Sequence, residues 1–333
     1  MNMGEFSDEQ LAGQRLMVGF DGTDLNSDLM FLIDTIKVGG IILFAGNLSA
    51  PDQIKSLCVS IQEYAASCGQ PPLFIAIDQE GGQVARLKKP FTQFPGGNPE
   101  MKALADAAYF ARVTASELKE VGVNMNMAPV MDVAFEGTES VMAGRAFGND
   151  PQWVSNMGVE VIAHLQHNQI MAVAKHFPGI GRTTLDSHFE MPFLDTDFSM
   201  MQSTDMIPFE AAIAHNVSGI MLSHICYTKI DPKWPASLST YIAKDLLRGQ
   251  MGFEGLVLTD DLDMKSIEGH YDIQTVIKQI ISADIDLVLI CHKGPNIERA
   301  FKEILKEMQV DRNTRSKALE SVQRIMNLKR KYL

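Results

Sequence analysis

Residues 73–78 read LFIAID, an apolar run without polar alternation that ends on a carboxylate. Continuous runs of this kind are typical of parallel strands that are covered by helices. Seven further short apolar runs recur along the chain, most of them equally continuous: Leu16–Phe20, Gly40–Phe44, Val123–Ala128, Met171–His176, Gly219–His224, Gly255–Asp260 and Ile285–Ile290. The pattern predicts eight strands of a parallel sheet.

Segments with helical spacing lie between these runs. Apolar residues step by three or four positions in Glu100–Leu118 and again in Ile273–Ala283, and the tail Arg312–Leu333 reads as a charged amphipathic helix. Eight strand–helix units predict an α/β fold, a single (β/α)₈ TIM-type barrel with a C-terminal helix. The rival is a doubly wound open sheet with a small second domain. No G-x-G-x-x-G follows the first strand and no Pro/Gly/Ser-rich linker divides the chain, so we expect one domain over residues 1–333.

Charge and composition limit the partners. The 333 residues include 41 acidic and 29 basic side chains, a formal charge of −12, which argues against nucleic acid or an anionic membrane as the main partner. No apolar run approaches the roughly 20 residues that span a bilayer. The N-terminus lacks a signal-peptide pattern and the four cysteines form no CxxC pair. We therefore expect a cytoplasmic protein, a monomer, with reduced thiols.

Polar side chains follow the ends of the predicted strands. In a barrel these ends meet at one rim, where reactive residues lie. Buried, unpaired charges are costly, so their concentration at one rim predicts a polar pocket. The candidates are Asp78, Glu80, Arg86, Asp132, Arg145, Lys175, His176, Asp186, His188, Ser223, His224, Asp260, Asp261, His292 and Lys293.

Asp260 is the leading candidate for a nucleophile. A carboxylate at a strand tip is rigidly held and can attack a carbon centre to give a covalent intermediate. The alternative is that Asp260 or Asp261 simply caps the following helix.

His188 is the candidate proton donor. Asp186 lies two residues earlier, close enough on a loop to bond one imidazole nitrogen, and a histidine pKa lies near working pH. The alternative is a surface loop with a local Asp–Ser–His turn. A zinc site formed by His176, His188 and His224 is a further reading, although no H-E-x-x-H or cysteine-pair spacing supports it.

Four more residues are candidates for substrate binding. Lys175 and His176 can donate hydrogen bonds to hydroxyl groups, and Asp78 with Arg86 can hold a vicinal diol. Structural alternatives exist, since Lys175–His176 can pair with Asp132 and Asp78 can form the turn before two glycines.

Motifs at these positions resemble the signature of glycoside hydrolase family 3, in its β-N-acetylhexosaminidase branch. The stretches are residues 77–86 (IDQEGGQVAR), 128–132 (APVMD), 175–181 (KHFPGIG), 186–188 (DSH), 235–239 (PASLS) and 259–264 (TDDLDM). They occur in the order and spacing that the family's single-domain bacterial enzymes show.

The resemblance implies a role for each matching residue. It makes Asp260 the nucleophile and His188 the acid/base, supported by Asp186 as a dyad. It assigns the sugar contacts to Asp78, Arg86, Arg145, Lys175 and His176. It implies no metal and no organic cofactor.

The resemblance also implies a reaction and a substrate. The enzyme looks like the cytoplasmic one that removes a terminal β-linked N-acetylglucosamine from small cell-wall muropeptide saccharides, with retention of configuration. One departure is Ile180, because the family's usual turn reads Gly-His-Gly. We expect Ile180 to alter how the His188 loop packs over the sugar rather than to abolish activity.

Three alternatives stay open. A histidine acid/base is neutral when deprotonated and does not repel an anion, so phosphate can compete with water as the acceptor. A β-glucosidase of the same family is the second alternative, although such enzymes carry further domains and a glutamate acid/base. A non-enzymatic barrel that binds amino sugars is the third, although both proposed catalytic positions are filled.

Overall fold

The computed structural model describes residues 6–94, 98–185 and 191–333. Within them, eight parallel strands close into a barrel. The strands are β1 (Leu16–Val18), β2 (Gly40–Leu43), β3 (Phe74–Ile77), β4 (Met125–Asn126), β5 (Met171–Phe177), β6 (Gly219–Leu222), β7 (Leu256–Asp261) and β8 (Leu287–Ile290). Each strand pairs with its neighbours in the chain, and β8 closes onto β1 with Leu16 opposite Val288. The predicted (β/α)₈ barrel is confirmed, and the open doubly wound sheet is wrong.

A helix follows each strand. In chain order these helices are Ser27–Asp34, Pro51–Ser67, Leu104–Glu120, Pro151–His167, Ile207–Ala214, Tyr241–Gln250, Ile273–Ser282 and Pro295–Val310. The sixth of them is wound as a π-helix. Shorter α-helices span Asp8–Gly13, Phe198–Ser203 and Lys265–Glu268, and the chain ends in Arg312–Tyr332.

The third barrel helix begins later than its apolar spacing predicts. The spacing predicted a start at Glu100, but that residue ends a short 3₁₀ turn, and the helix starts at Leu104. The Asp106 carboxylate accepts hydrogen bonds from the backbone N–H groups of Lys102 and Ala103, each at 2.9 Å. A side chain in the first turn thus satisfies the backbone donors in front of the helix, which defines where it begins.

Side chains of alternate strand residues fill the barrel interior. Four of them are methionines, Met17, Met125, Met171 and Met221, and they pack with Phe74 and the leucines of β7 and β8. A second, larger apolar layer lies between the strands and the helices. Met is unbranched and adapts to irregular gaps, which suits a closed interior.

The C-terminal helix covers the N-terminal end of the barrel. Ile325 and Tyr332 belong to the interior cluster, and the Tyr332 hydroxyl lies 2.6 Å from the Ser218 hydroxyl just before β6. Lys329, which is 1% exposed, donates a hydrogen bond to Gln14 at 2.7 Å. The opposite, C-terminal end of the barrel is where a pocket opens. Within the described part of the chain, no helix is both long and apolar enough to cross a membrane.

Candidate active site

A cavity of about 330 Å³ lies at the C-terminal ends of the strands. This is the size of small-ligand pockets in proteins. Six of the eight predicted site residues line it, namely Asp78, Arg86, Arg145, Lys175, His176 and Asp260. The other two, Asp186 and His188, lie outside the described residues.

Two carboxylates and three cations form one ion-pair network in this cavity. Lys175 Nζ lies 2.8 Å from Asp78 Oδ1 and 2.6 Å from Glu80 Oε1. Arg86 Nη2 lies 3.2 Å from Asp78 Oδ2. Arg145 binds Glu80 through two parallel hydrogen bonds of 2.7 and 2.9 Å. Planar, bidentate pairing of this kind orients both partners.

The network keeps its members ionised despite their burial. Burial alone would raise the pKa of Asp78, but Lys175 and Arg86 lower that pKa to about 2. Burial would likewise lower the pKa of Lys175, but the carboxylates of Asp78 and Glu80 raise it above its usual value. Two of the three ammonium protons of Lys175 are engaged by these carboxylates, which leaves one for a bound hydroxyl group.

Glu80 is the member of the network for which the sequence predicted a place at the rim but no role. It lies in the 77–86 motif two residues after Asp78, and in the structure its side chain is 1% exposed. Burial would raise its pKa, but Lys175 and Arg145 hold that pKa below the usual value. The signal in the sequence was its place in that motif at a predicted strand end, because its charge partners are distant in the chain.

A short hairpin after β3 brings Asp78 and Arg86 together. Gln79–Gly81 pairs with Val84–Ala85. The Gln79 side-chain oxygen accepts hydrogen bonds from the backbone N–H groups of Arg86 and Leu87, at 2.8 and 3.0 Å. Asn126 on β4 bonds both backbone groups of Gln79, each at 3.0 Å. Asp78 therefore does more than form a turn, because the hairpin places the Arg86 guanidinium beside the Asp78 carboxylate.

The end of β5 is irregular, so two successive residues line the cavity. The pairing of β5 with β6 shifts register between Lys175 and Phe177, and the Lys175–His176 peptide bond is cis. In a regular strand, successive side chains point to opposite faces. The register shift therefore accounts for Lys175 and His176 both lining the pocket.

His176 pairs with a buried carboxylate, as one sequence alternative stated. His176 Nδ1 lies 2.7 Å from Asp132 Oδ2, and Asp132 is fully buried. The other oxygen of Asp132 accepts a hydrogen bond from the Ile180 backbone N–H at 2.8 Å. Lys175, in contrast, pairs with Asp78 and Glu80 rather than with Asp132.

Asp260 lies near the tip of β7 beside three groups that favour its charged form. Burial alone would raise the pKa of its carboxyl, but His224, His176 and Lys175 lower that pKa below the usual value. One Asp260 oxygen accepts the backbone N–H of Asp261 at 2.8 Å. The carboxylate is ionised and faces the cavity, which is the state a nucleophile requires.

The capping alternative is wrong for Asp260. The next helix, Lys265–Glu268, has Met264 at its N-cap and no side-chain cap. Asp261 takes a structural role, since its Oδ1 accepts the backbone N–H groups of Asp263 and Cys291 at 3.1 and 2.9 Å. Burial raises the pKa of Asp261 to about 6.

His224 supports the strand that carries Asp260. Its Nδ1 lies 2.6 Å from the Ser237 hydroxyl, and its Nε2 lies 2.8 Å from the Asp261 carbonyl oxygen. The ring is therefore oriented by protein groups next to the candidate nucleophile.

The turn after β5 is packed tightly onto the barrel rim. Ile180 is 7% exposed and belongs to the apolar core. A Cβ at Gly181 would lie 1.8 Å from the Val133 carbonyl oxygen. Gly179 has φ of +124° and its carbonyl accepts the Tyr227 hydroxyl at 2.9 Å. Ile180 thus faces the core. Its expected influence on the packing of the His188 loop stays a prediction, because residues 186–190 lie outside the described part of the chain.

The described residues contain one group with the spacing of metal ligands: Asp261, Asp263 and His292. It lies at the cavity mouth and does not include His176 or His224. Both ring nitrogens of His224 are engaged, by the Ser237 hydroxyl and the Asp261 carbonyl, which disfavours the zinc reading.

A (β/α)₈ barrel carries its chemistry at this rim, and a carboxylate that faces a small, highly charged pocket is an arrangement that glycoside hydrolases use. The sequence profile of the Glycosyl hydrolase family 3 N terminal domain matches residues 8–328. The chain belongs to this family.

Relatives of known structure and name support the assignment. A β-hexosaminidase from Nitrosomonas eutropha is 35% identical over 303 residues, 88% of this chain and 84% of that protein. A family 3 β-N-acetylglucosaminidase from Paenibacillus sp. FPU-7 superposes with a TM-score of 0.95 at 34% identity, over 98% of this chain and 63% of that one. A β-N-acetylhexosaminidase from Beutenbergia cavernae superposes with a TM-score of 0.89 at 27% identity, over 98% and 99% of the two chains.

Proposed function

We propose that the protein is a retaining, exo-acting β-N-acetylglucosaminidase that releases terminal β-linked N-acetylglucosamine from muropeptide-type saccharides. One observation carries the proposal. The ionised Asp260 carboxylate faces a pocket of about 330 Å³ whose other polar groups, contributed by β3 to β5, suit the hydroxyl groups of a single sugar. The printed activities of the Nitrosomonas and Paenibacillus relatives agree with it.

The proposed reaction has two steps. Asp260 attacks the anomeric carbon while His188, oriented by Asp186, protonates the departing glycosidic oxygen. A glycosyl ester on Asp260 forms and the aglycone leaves. His188 then deprotonates water, which attacks the anomeric carbon, breaks the ester and releases the sugar with its configuration retained.

The network holds the sugar during both steps. The remaining proton of Lys175 and the guanidinium groups of Arg86 and Arg145 donate to hydroxyl groups, and Asp78 accepts from them. Because the charges are paired beforehand, the donors are already oriented when the sugar enters.

The test is turnover of nitrophenyl N-acetyl-β-glucosaminide, with the first-formed anomer identified by NMR. Asp260→Ala abolishes turnover, whereas His188→Ala retains slow cleavage because nitrophenol needs little protonation to leave. Asp245→Ala, which removes an exposed carboxylate of the Tyr241–Gln250 helix, serves as the matched control. An Asp260→Ala enzyme that stays nearly fully active would refute the covalent route.

A glycoside phosphorylase is the second candidate, favoured by the histidine acid/base in the 186–188 motif. Sugar-1-phosphate release with and without added phosphate distinguishes it from the hydrolase. Activity on nitrophenyl glucoside rather than on the N-acetylglucosaminide would instead indicate a β-glucosidase. The cytoplasmic location, the monomeric state and the single domain stay predictions.

A further inference from the structure

The polar groups of the pocket come from one sector of the barrel. Asp78 and Glu80 follow β3, Arg145 follows β4, and Lys175 and His176 end β5. The candidate nucleophile ends β7. No residue that directly follows β8 or β2 in the chain belongs to the ion-pair network, and two aromatic side chains line the cavity there, Phe44 and His292.

We infer that Phe44 and His292 form the aglycone subsite, which accepts the flat ring of a leaving group, a sugar or an aryl group. This inference rests on the proposed function. The two side chains are called the Phe44–His292 wall. Their ring centroids lie 6.3 Å apart and their planes are tilted by 20°. Aromatic side chains that line a cavity mouth can stack on the C–H face of a pyranose or on an aromatic ring.

The wall lies beside the reacting centre. His292 Nδ1 is 3.5 Å from Asp261 Oδ2, and Asp261 directly follows Asp260. Phe44 forms the end of the wall that is nearer to the hairpin after β3, since its ring centroid lies 5.4 Å from the Arg86 guanidinium carbon. The wall therefore runs along the cavity mouth from the nucleophile strand to the sugar-binding hairpin. The wall borders the mouth of the cavity. A leaving group that is too large for the pocket therefore has to pass this wall.

The backbones of both wall residues are held by neighbouring side chains, Phe44 is half-buried, and the His292 ring is largely exposed. The Phe44 N–H donates to Asn47 Oδ1 at 2.9 Å, and the Asn47 amide donates to the Phe20 and Gly22 carbonyls. The His292 N–H donates to Asp263 Oδ2 at 3.0 Å. The His292 side chain is nonetheless 75% exposed. A positioned but solvent-facing ring is what a contact surface for a ligand requires.

The experiment compares substrates that share the sugar and differ in the aglycone. Kinetic constants are measured for the N-acetylglucosamine disaccharide, for nitrophenyl N-acetyl-β-glucosaminide and for N-acetyl-β-glucosaminyl fluoride, whose leaving group has no ring. The variants are Phe44→Ala and His292→Ala, with Phe44→Leu and His292→Gln as milder changes if the first two fold poorly. His167→Asn, at an exposed histidine of an outer helix, is the control.

The expected result is a change in the ratio of kcat/KM values. The disaccharide-to-fluoride ratio falls about tenfold in each wall variant, the effect of losing one ring contact, and stays at the wild-type value in His167→Asn. An equal loss for both substrates means that the wall shapes the sugar pocket, and no loss means that it touches neither; each result overturns the inference. A wild-type enzyme that cleaves none of the three substrates refutes the proposed function itself, and the wall assignment with it.

Discussion

Lys329 is a buried lysine at the closed end of the barrel, and replacing it with methionine should stabilise the protein at neutral pH. The side chain is 1% exposed, and its ammonium donates a hydrogen bond to the Gln14 side chain and lies 5.2 Å from the Phe74 ring centroid. No carboxylate of the described residues forms an ion pair with it. Burial alone lowers the pKa of Lys329 to about 7.

The sign of the effect follows from proton linkage. In the unfolded chain Lys329 has a pKa of about 10.4, so between pH 7 and pH 10 the unfolded state binds a proton that the folded state lacks. The stability of the wild type therefore rises with pH over this window, by as much as about 1.4 kcal/mol per unit. From pH 7 to pH 9 the contribution of Lys329 amounts to about 2 kcal/mol.

Methionine has a similar length and no proton to lose, so the variant lacks this dependence. At pH 7 it escapes a penalty of about 4 kcal/mol, offset by about 1–3 kcal/mol for the Gln14 oxygen that loses its donor. We expect Lys329→Met to be more stable than the wild type by about 1–3 kcal/mol at pH 7, and less so at pH 9.

The assay is urea unfolding at pH 7, 8 and 9, followed by far-UV circular dichroism. Lys331→Met removes an exposed lysine from the same helix and serves as the control, because it should track the wild type at every pH. Parallel stability curves for the wild type and Lys329→Met across this range would refute the reasoning, since they would mean that Lys329 binds its proton equally in both states.

Three further changes test the site. Glu80→Gln keeps the shape of the side chain but leaves Lys175 without its second carboxylate; we expect a loss of about 3 kcal/mol in urea unfolding and a lower kcat/KM, and unchanged kinetics would contradict the ion-pair network. Gly181→Ala forces a Cβ against the Val133 carbonyl and should cost about 1–3 kcal/mol, whereas a melting temperature equal to the wild type would show that the turn has room. Asp261→Asn removes a carboxyl whose pKa is raised to about 6, so its stability relative to the wild type should increase as the pH rises from 4 to 6 and level off above; a flat difference would argue against that raised pKa.

Much of the site could be predicted because a barrel gathers the ends of its strands. The run 73–78 and the seven like it marked the strands, and the polar residues that follow them had to meet at one rim. Asp78, Lys175 and Asp260 were predicted in this way, and all three line one cavity. The catalytic roles of Asp186 and His188 stay predictions, since those residues lie outside the described part of the chain.

Side-chain partners could not be predicted from the same pattern. Glu80 binds Arg145, 65 positions away, and His224 bonds the Asp261 carbonyl, 37 positions away. The different roles of Asp260 and Asp261 also depend on distant residues. His224 and His176 favour the ionised form of Asp260, and the Cys291 backbone N–H after β8 holds the Asp261 carboxylate.

The sequence by itself determined the strands, their parallel order and the end of the barrel where chemistry is possible, because apolar periodicity reports burial and loop position reports the rim. Only the tertiary structure decided the charge partners, the aromatic side of the mouth and the burial of Lys329 in a helix that reads as charged. Those properties depend on the stagger at which the strands close and on where the last helix docks, and both are set by the packing of residues that are distant in the chain.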